Sequence, residues 1–265
     1  MCPKRAVDYA GQAVIITGGT RGIGAGIARA FLRAGAEVLV CGRTEPAQDR
    51  PPPAAAGRTA AFTRADVRDP AQAQRLIQEA AELFGRVDVV VSNAGGSPYA
   101  EAATASPRFH AKVIELNLVA PLHVAQSANA VMQAQPDGGS IIMIGSVSGV
   151  RPSPGTAAYG AAKAGLHHLA ASLAVEWAPK VRVNSVVAGP VATESAGAAH
   201  FDQAGGVDAV AGTIPLGRLA TPDDVADACL LLASPLAGYV SGAALLLHGG
   251  GEWPAYLTAA DNPRA

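Results

Sequence analysis

The chain has 265 residues, of which 49% are hydrophobic and 15% charged, with a net charge of -1 and a pI near 6.6; this excludes disorder and argues against a nucleic-acid partner. Cys2, Cys41 and Cys229 stand too far apart for a disulfide framework or a metal set, and "MCPKRAVDYAGQ" lacks the apolar core of a signal peptide. Every long apolar stretch is interrupted by proline, glycine or a polar side chain, so the expectation is a soluble cytoplasmic protein without membrane or metal, in one domain over 1–265.

In chain order, the first β-branched run is "AVIIT" (13–17), followed at once by "TGGTRGIG" (17–24) and the helical pattern "GAGIARAFLRAG". Gly18, Gly22 and Gly24 allow a tight turn in which backbone N–H groups and a helix N-terminus approach a pyrophosphate. The pattern alone is common in a chain with 30 glycines; its place between a strand and a helix makes it a dinucleotide signal. The second run, "EVLVC" (37–41), ends in "CGRTE". A ribose-binding acid is expected there, and Arg43 stands in its place, with Arg21 inside the glycine loop. Two guanidinium groups suit a 2′-phosphate and favour NADP(H) over NAD(H); a ribose of NAD(H) held by Glu45 is the alternative.

Three consecutive prolines in "RTEPAQDRPPPAAAGR" (43–58) predict a loop or short stub where a crossover helix belongs. A weak strand, "TAAFTRA" (59–65), and a strong one, "VDVVVS" (87–92), come next. In "ELNLVAPLHVAQ" (115–126), Pro121 has no N–H for the carbonyl of Asn117, which predicts a kinked helix with a hydrated Asn117. "SIIMIG" (140–145) places Ser146 and Ser148 at a strand's carboxyl end, where ligands of open α/β sheets bind.

"YGAAK" (159–163) puts Tyr159 and Lys163 on one helix face, one turn apart. Lys163 is the only formally charged residue between 157 and 175, and an ammonium beside a phenol favours phenolate, as an acid/base working near neutrality requires. His167 and His168, adjacent in this helix, point in different directions and read as packing or interface residues. "VRVNSVV" (181–187) and "AALLLH" (243–248) complete seven runs. Between them, 194–213 reads as a mobile lid, and 255–265 as a frayed tail. Near-continuous apolar strands alternating with helices predict a doubly wound, Rossmann-type α/β fold with a parallel sheet of about seven strands. The helices over 116–132 and 157–175 carry little charge, so both need cover, and a homo-oligomer built on them is expected.

From "TGGTRGIG" to "VSGAALLLHGGG" the sequence resembles the short-chain dehydrogenase/reductase family, in pattern closest to members like the 3-oxoacyl-carrier-protein reductases. The resemblance implies a catalytic tetrad of Asn117, Ser146, Tyr159 and Lys163, choosing Ser146 over Ser148 by its interval to Tyr159. It also implies a coenzyme site formed by Gly18, Thr20, Arg21, Gly22, Ile23, Gly24, Arg43, Asp66, Val67, Asn93, Ala94, Gly95, Tyr159, Lys163, Gly189 and Thr193, with Asp66 at the adenine. The implied reaction interconverts a ketone or 3-oxoacyl carbonyl and a secondary alcohol by hydride transfer. An NAD-dependent alcohol dehydrogenase of the same family and a non-catalytic dinucleotide-binding regulator are the alternatives. The chain departs from the family at Ala188-Gly189-Pro190, at His248 and in the proline-broken crossover.

Overall fold

The computed structural model describes residues 7–47, 49, 51–96, 98–193 and 206–253. The seven sequence runs form β1 (Ala13–Thr17), β2 (Glu37–Gly42), β5 (Ala61–Arg64), β6 (Val89–Ser92), β7 (Gly139–Ser146), β8 (Val181–Ala188) and β9 (Ala244–Leu247). They pair in parallel in the order β5-β2-β1-β6-β7-β8-β9, so the expected doubly wound architecture is present. Alternation along each strand divides the core in two. Val14 and Ile16 face α1 (Gly22–Arg33) and α7 (Pro222–Ala233), whereas Ile15 between them faces the layer of α2 (Pro70–Phe84), α4 (Ala120–Ala134) and α5 (Ala157–Trp177).

Polar capping fixes where these helices start. Asp69 accepts from the amides of Ala71 and Gln72 ahead of Pro70, and Thr221 forms a capping box with Asp224 ahead of Pro222. In the second crossover the prolines exclude a helix among the described residues, as expected. Instead a small hairpin forms, β3 (Ala54–Ala55) with β4 (Arg58–Thr59), turning through Ala56 and Gly57 at φ 51° and 74°.

The helix expected to kink near Pro121 runs as α3 (Pro107–Ile114), a π-helical segment Glu115–Val119, and α4. Ala120 N–H donates to Glu115 O, one residue beyond the α spacing, so the helix absorbs the proline by widening one turn. Of the lid expected over 194–213, the residues to 205 lie outside the described set, and Gly206–Thr213 form a helix, α6; the tail at 255–265 also lies outside it. No helix among the described residues is long and apolar enough to cross a membrane.

Between β1 and β6 the order of strands reverses direction, opening a crevice at their carboxyl ends. Fully buried Thr17 closes the base of it: its Oγ1 accepts the N–H groups of Asn93 and Ala94, each at 3.0 Å. Asn93 Nδ2 returns two bonds, to Thr17 O at 2.9 Å and Gly18 O at 3.2 Å. Thr17→Val keeps the shape but leaves two amides without that acceptor, so a loss of about 2 kcal/mol in urea unfolding is expected, with weaker dinucleotide binding by fluorescence titration.

Candidate active site

The crevice opens into a cavity of about 1020 Å³. Every residue assigned to the coenzyme lines it, together with Ser146, Ser148, Glu45 and Arg151. At one end, β1 passes into α1 through Gly18 and Gly22, whose φ values of 64° and 52° favour glycine. Gly24 admits no side chain, because a Cβ there would lie 2.3 Å from Gly18 O and 2.6 Å from Asn93 Nδ2. The N-terminus of α1 has no side-chain cap and no acidic residue in its first turn. A helix N-terminus on a cavity, with no N-cap side-chain bond and no acid in its first turn, fits a pyrophosphate.

Arg43 is exposed at the end of β2, and Arg21 is the residue preceding α1. Arg68, which sequence reasoning missed, grips Asp66 through Nε at 2.9 Å and through a second, shorter contact from Nη2, and holds that carboxyl below its usual range. The Asp66 backbone N–H is taken by Gln72 Oε1 at 2.9 Å, so the wall of the cavity at Asp66 is braced from within the chain.

Across the cavity, β7 ends at Ser146 and α5 begins at Ala157. Ser146 Oγ accepts from Ser148 N–H at 3.2 Å. Burial pushes the Tyr159 phenol up, and a hydrogen bond with Ser146 opposes that shift. This corrects the expectation that Lys163 lowers the phenol. The Lys163 Nζ lies 5.6 Å from the Tyr159 ring centroid and donates to Ile144 O at 2.8 Å, and burial brings the lysine itself down to about 8.

Asn117 does not line the cavity: it is fully buried one layer behind Gly95 and Gly96. Its Oδ1 accepts from Gly96 N–H, while Nδ2 donates to Gly96 O and Val113 O, each at 2.9 Å. A Cβ on Gly95 would lie 2.7 Å from Asn117 Oδ1 and 3.4 Å from Lys163 Nζ, so the two side chains flank that glycine. Of the four residues expected to form the tetrad, Asn117 alone stays out of the cavity lining, and it sits on a π-helical turn that its sequence pattern did not reveal.

His167, read from sequence as packing, lies against the end of β7 with Nε2 3.4 Å from Ser146 N. His168 is exposed. Gly189 donates to Leu247 O at 2.8 Å, which ties the turn after β8 to β9, and a Cβ on Gly22 would lie 3.6 Å from Thr193 Cγ2. Despite its altered order, the segment after β8 reaches the phosphate end of the cavity.

A phosphate-fitting helix terminus at a topological switch point, with a half-buried tyrosine and a buried lysine on the same cavity, is the arrangement of a dinucleotide-dependent α/β oxidoreductase. Residues 18–252 match the family model described as enoyl-(acyl carrier protein) reductase. An L-rhamnose 1-dehydrogenase (NAD(P)(+)) of Azotobacter vinelandii is 35% identical over 246 residues, covering 90% of this chain and 96% of its own. A 3alpha-hydroxysteroid dehydrogenase of Mediterraneibacter gnavus is 32% identical over 248 residues, with coverage of 90% and 96%. The solved short-chain dehydrogenase/reductase of Serratia marcescens matches with a TM-score of 0.80 at 29% identity, over 91% of this chain and 98% of that one. The chain belongs to the short-chain dehydrogenase/reductase family and is an NAD(P)-dependent oxidoreductase acting on CH–OH groups.

The buried lysine has a consequence for stability. Folded Lys163 titrates at about 8 and an exposed lysine at 10.5, so between those values the unfolded chain holds the extra proton. Relative to Lys163→Met, the wild-type protein is expected to gain about 1–3 kcal/mol as pH rises through that window, checked by urea unfolding at several pH values. A flat difference would remove the buried-ammonium assignment.

Proposed function

We propose that the protein interconverts a carbonyl compound and a secondary alcohol with a preference for NADP(H), with Tyr159 as the acid/base. The observation that carries this reading is the meeting of Ser146, Tyr159 and Lys163 on one cavity with the glycine loop and two arginines. When bound, the dinucleotide supplies or accepts the hydride.

In reduction, Tyr159 gives its phenolic proton to the carbonyl oxygen, and burial, which favours the protonated phenol, suits that step. Ser146 donates its hydroxyl to the same oxygen as charge develops. Lys163 uses one of its three donors on Ile144 O, and the others would be available to hold a nicotinamide ribose beside Tyr159. The Asn117 side chain is committed to Gly96 and Val113, so its part in proton resupply falls to its main-chain carbonyl, to which Pro121 offers no N–H. Arg21 and Arg43 would pair a 2′-phosphate; Glu45, on the same wall, supports the weaker reading of an NAD(H) ribose site.

The wall beside Ser146 and Tyr159 is made of small or uncharged residues, Gly96, Val147, Ser148, Thr156 and Pro190, with Arg151 its one charged side chain among the described residues. Arg151 is paired with Glu252 at 2.8 Å, which favours an uncharged carbonyl compound. The low charge of α5 and the 81% exposure of its Val175 support a homo-oligomer built on α4 and α5.

Three outcomes test this reading. Tyr159→Phe is expected to lose turnover by about a thousandfold while binding NADPH normally in a fluorescence titration; full activity would sink the assignment. Arg43→Ala is expected to weaken NADPH binding about tenfold and leave NADH binding unchanged, and equal effects on both would remove the NADP(H) preference. Sedimentation velocity at micromolar concentration is expected to give an oligomer, and monomer alone would contradict the α4/α5 interface.

A further inference from the structure

We infer that His167 is a positioning residue for the reaction: its neutral imidazole, wedged between Gly145 and Gly149, holds the main chain of Ser146 so that the hydroxyl faces Tyr159. This rests on the reading of Ser146 and Tyr159 as catalytic residues.

The ring is built into the end of β7. A Cβ on Gly145 would lie 2.3 Å from His167 Nε2 and 2.8 Å from Cδ2, and one on Gly149 would lie 2.9 Å from Cε1. Gly145, next to the last residue of the strand, thus leaves a slot that the imidazole edge fills, and Gly149, ending the 3-10 turn Val147–Gly149, lets that turn approach both Cε1 and the α5 backbone at Lys163 and Ala164. Within it, Nε2 is the acceptor for Ser146 N–H at 3.4 Å. A separation of that length makes a weak bond, so its contribution is orientation more than energy. Ser146 is then restrained at two points, at its amide by His167 and at Oγ by Ser148 N–H. Its exposed neighbour His168 takes no part.

To accept at Nε2 the ring must carry its proton on Nδ1, and the imidazolium has no lone pair to offer. Burial and the charge of Lys163, one turn earlier on α5, hold His167 below its ordinary value, so both favour the accepting form. The strand and turn packed against the ring present Gly145, Ser146, Ser148 and Gly149, none of which titrates, and β8 presents the Val186 carbonyl beside Gly145. On α5 the other titrating groups nearby are Tyr159 and His168.

The test compares His167→Leu, His167→Gln and Ser146→Ala by kcat, KM for NADPH, the pH profile of kcat and thermal midpoint. His167→Leu is expected to lose about tenfold in kcat with KM for NADPH unchanged, because the hydroxyl is misplaced and the dinucleotide site is not. His167→Gln, whose side-chain carbonyl accepts and does not titrate, is expected to recover most of the lost kcat and to remove the acid limb of the wild-type profile. Wild-type kcat and pH profile in His167→Leu, beside a strongly impaired Ser146→Ala, would overturn the inference alone. A fully active Ser146→Ala would overturn the catalytic reading and this inference with it. If the leucine variant does not fold, the glutamine profile decides: loss of the acid limb supports the positioning role, and its retention overturns it.

Discussion

The clasp between Thr17 and Asn93 is the constraint on which the rest of the site depends. At a switch point the two central strands diverge, and nothing in the sheet ladder beyond Ile16 and Val91 fixes the distance between the loops that follow. One threonine hydroxyl that accepts two amides, and one asparagine amide that donates to two carbonyls, supply that distance. Once they are set, Gly24 can approach Gly18 O closely, the start of α1 faces the cavity, and Gly95 stands between Asn117 and Lys163. The glycine-loop end and the Tyr159 end of the cavity are thus held by the same short stretch, 93–96.

The chemical end relies on burial more than on charge pairing. Tyr159 and Lys163 are both moved against their charged forms by desolvation, and each is steadied by a neutral oxygen, from Ser146 and Ile144 respectively. Such a site is tuned by what enters it, because a ligand that excludes water or adds negative charge near the ammonium changes both groups together. Arg68 on Asp66 follows a different logic at the β2 side of the cavity, where a partly exposed ion pair sets the shape of the wall.

The strands and the glycine loop were legible because buried parallel strands read as unbroken apolar runs and because a tight phosphate turn demands glycine at fixed places. Tyr159 and Lys163 were legible because a single charge in an apolar helix stands out. The π-helical turn at Glu115–Val119 was half legible: Pro121 marks the missing donor, but whether a helix kinks or widens depends on what packs against it, here Gly96 holding the Asn117 side chain. The hairpin at 54–59, the Thr17 clasp, the Arg68 pair and the place of His167 could not be read along the chain. Each depends on partners brought close by the fold, or on a backbone turn that the proline run merely permits. The direction of the Tyr159 shift failed for a related reason, since spacing places an ammonium near a phenol but says nothing of how much water both have lost.

On the reading proposed above, the crevice carries hydride between a dinucleotide and a carbon bearing oxygen. The most direct measurement uses NADPH carrying deuterium at C4, on each face in turn, with a panel of ketones, sugars, steroids and acyl thioesters. The expected result is deuterium at the carbinol carbon of a product from one labelled face and not the other, with a slowed single turnover. Tight binding of labelled NADPH without transfer to any member of the panel would contradict the account.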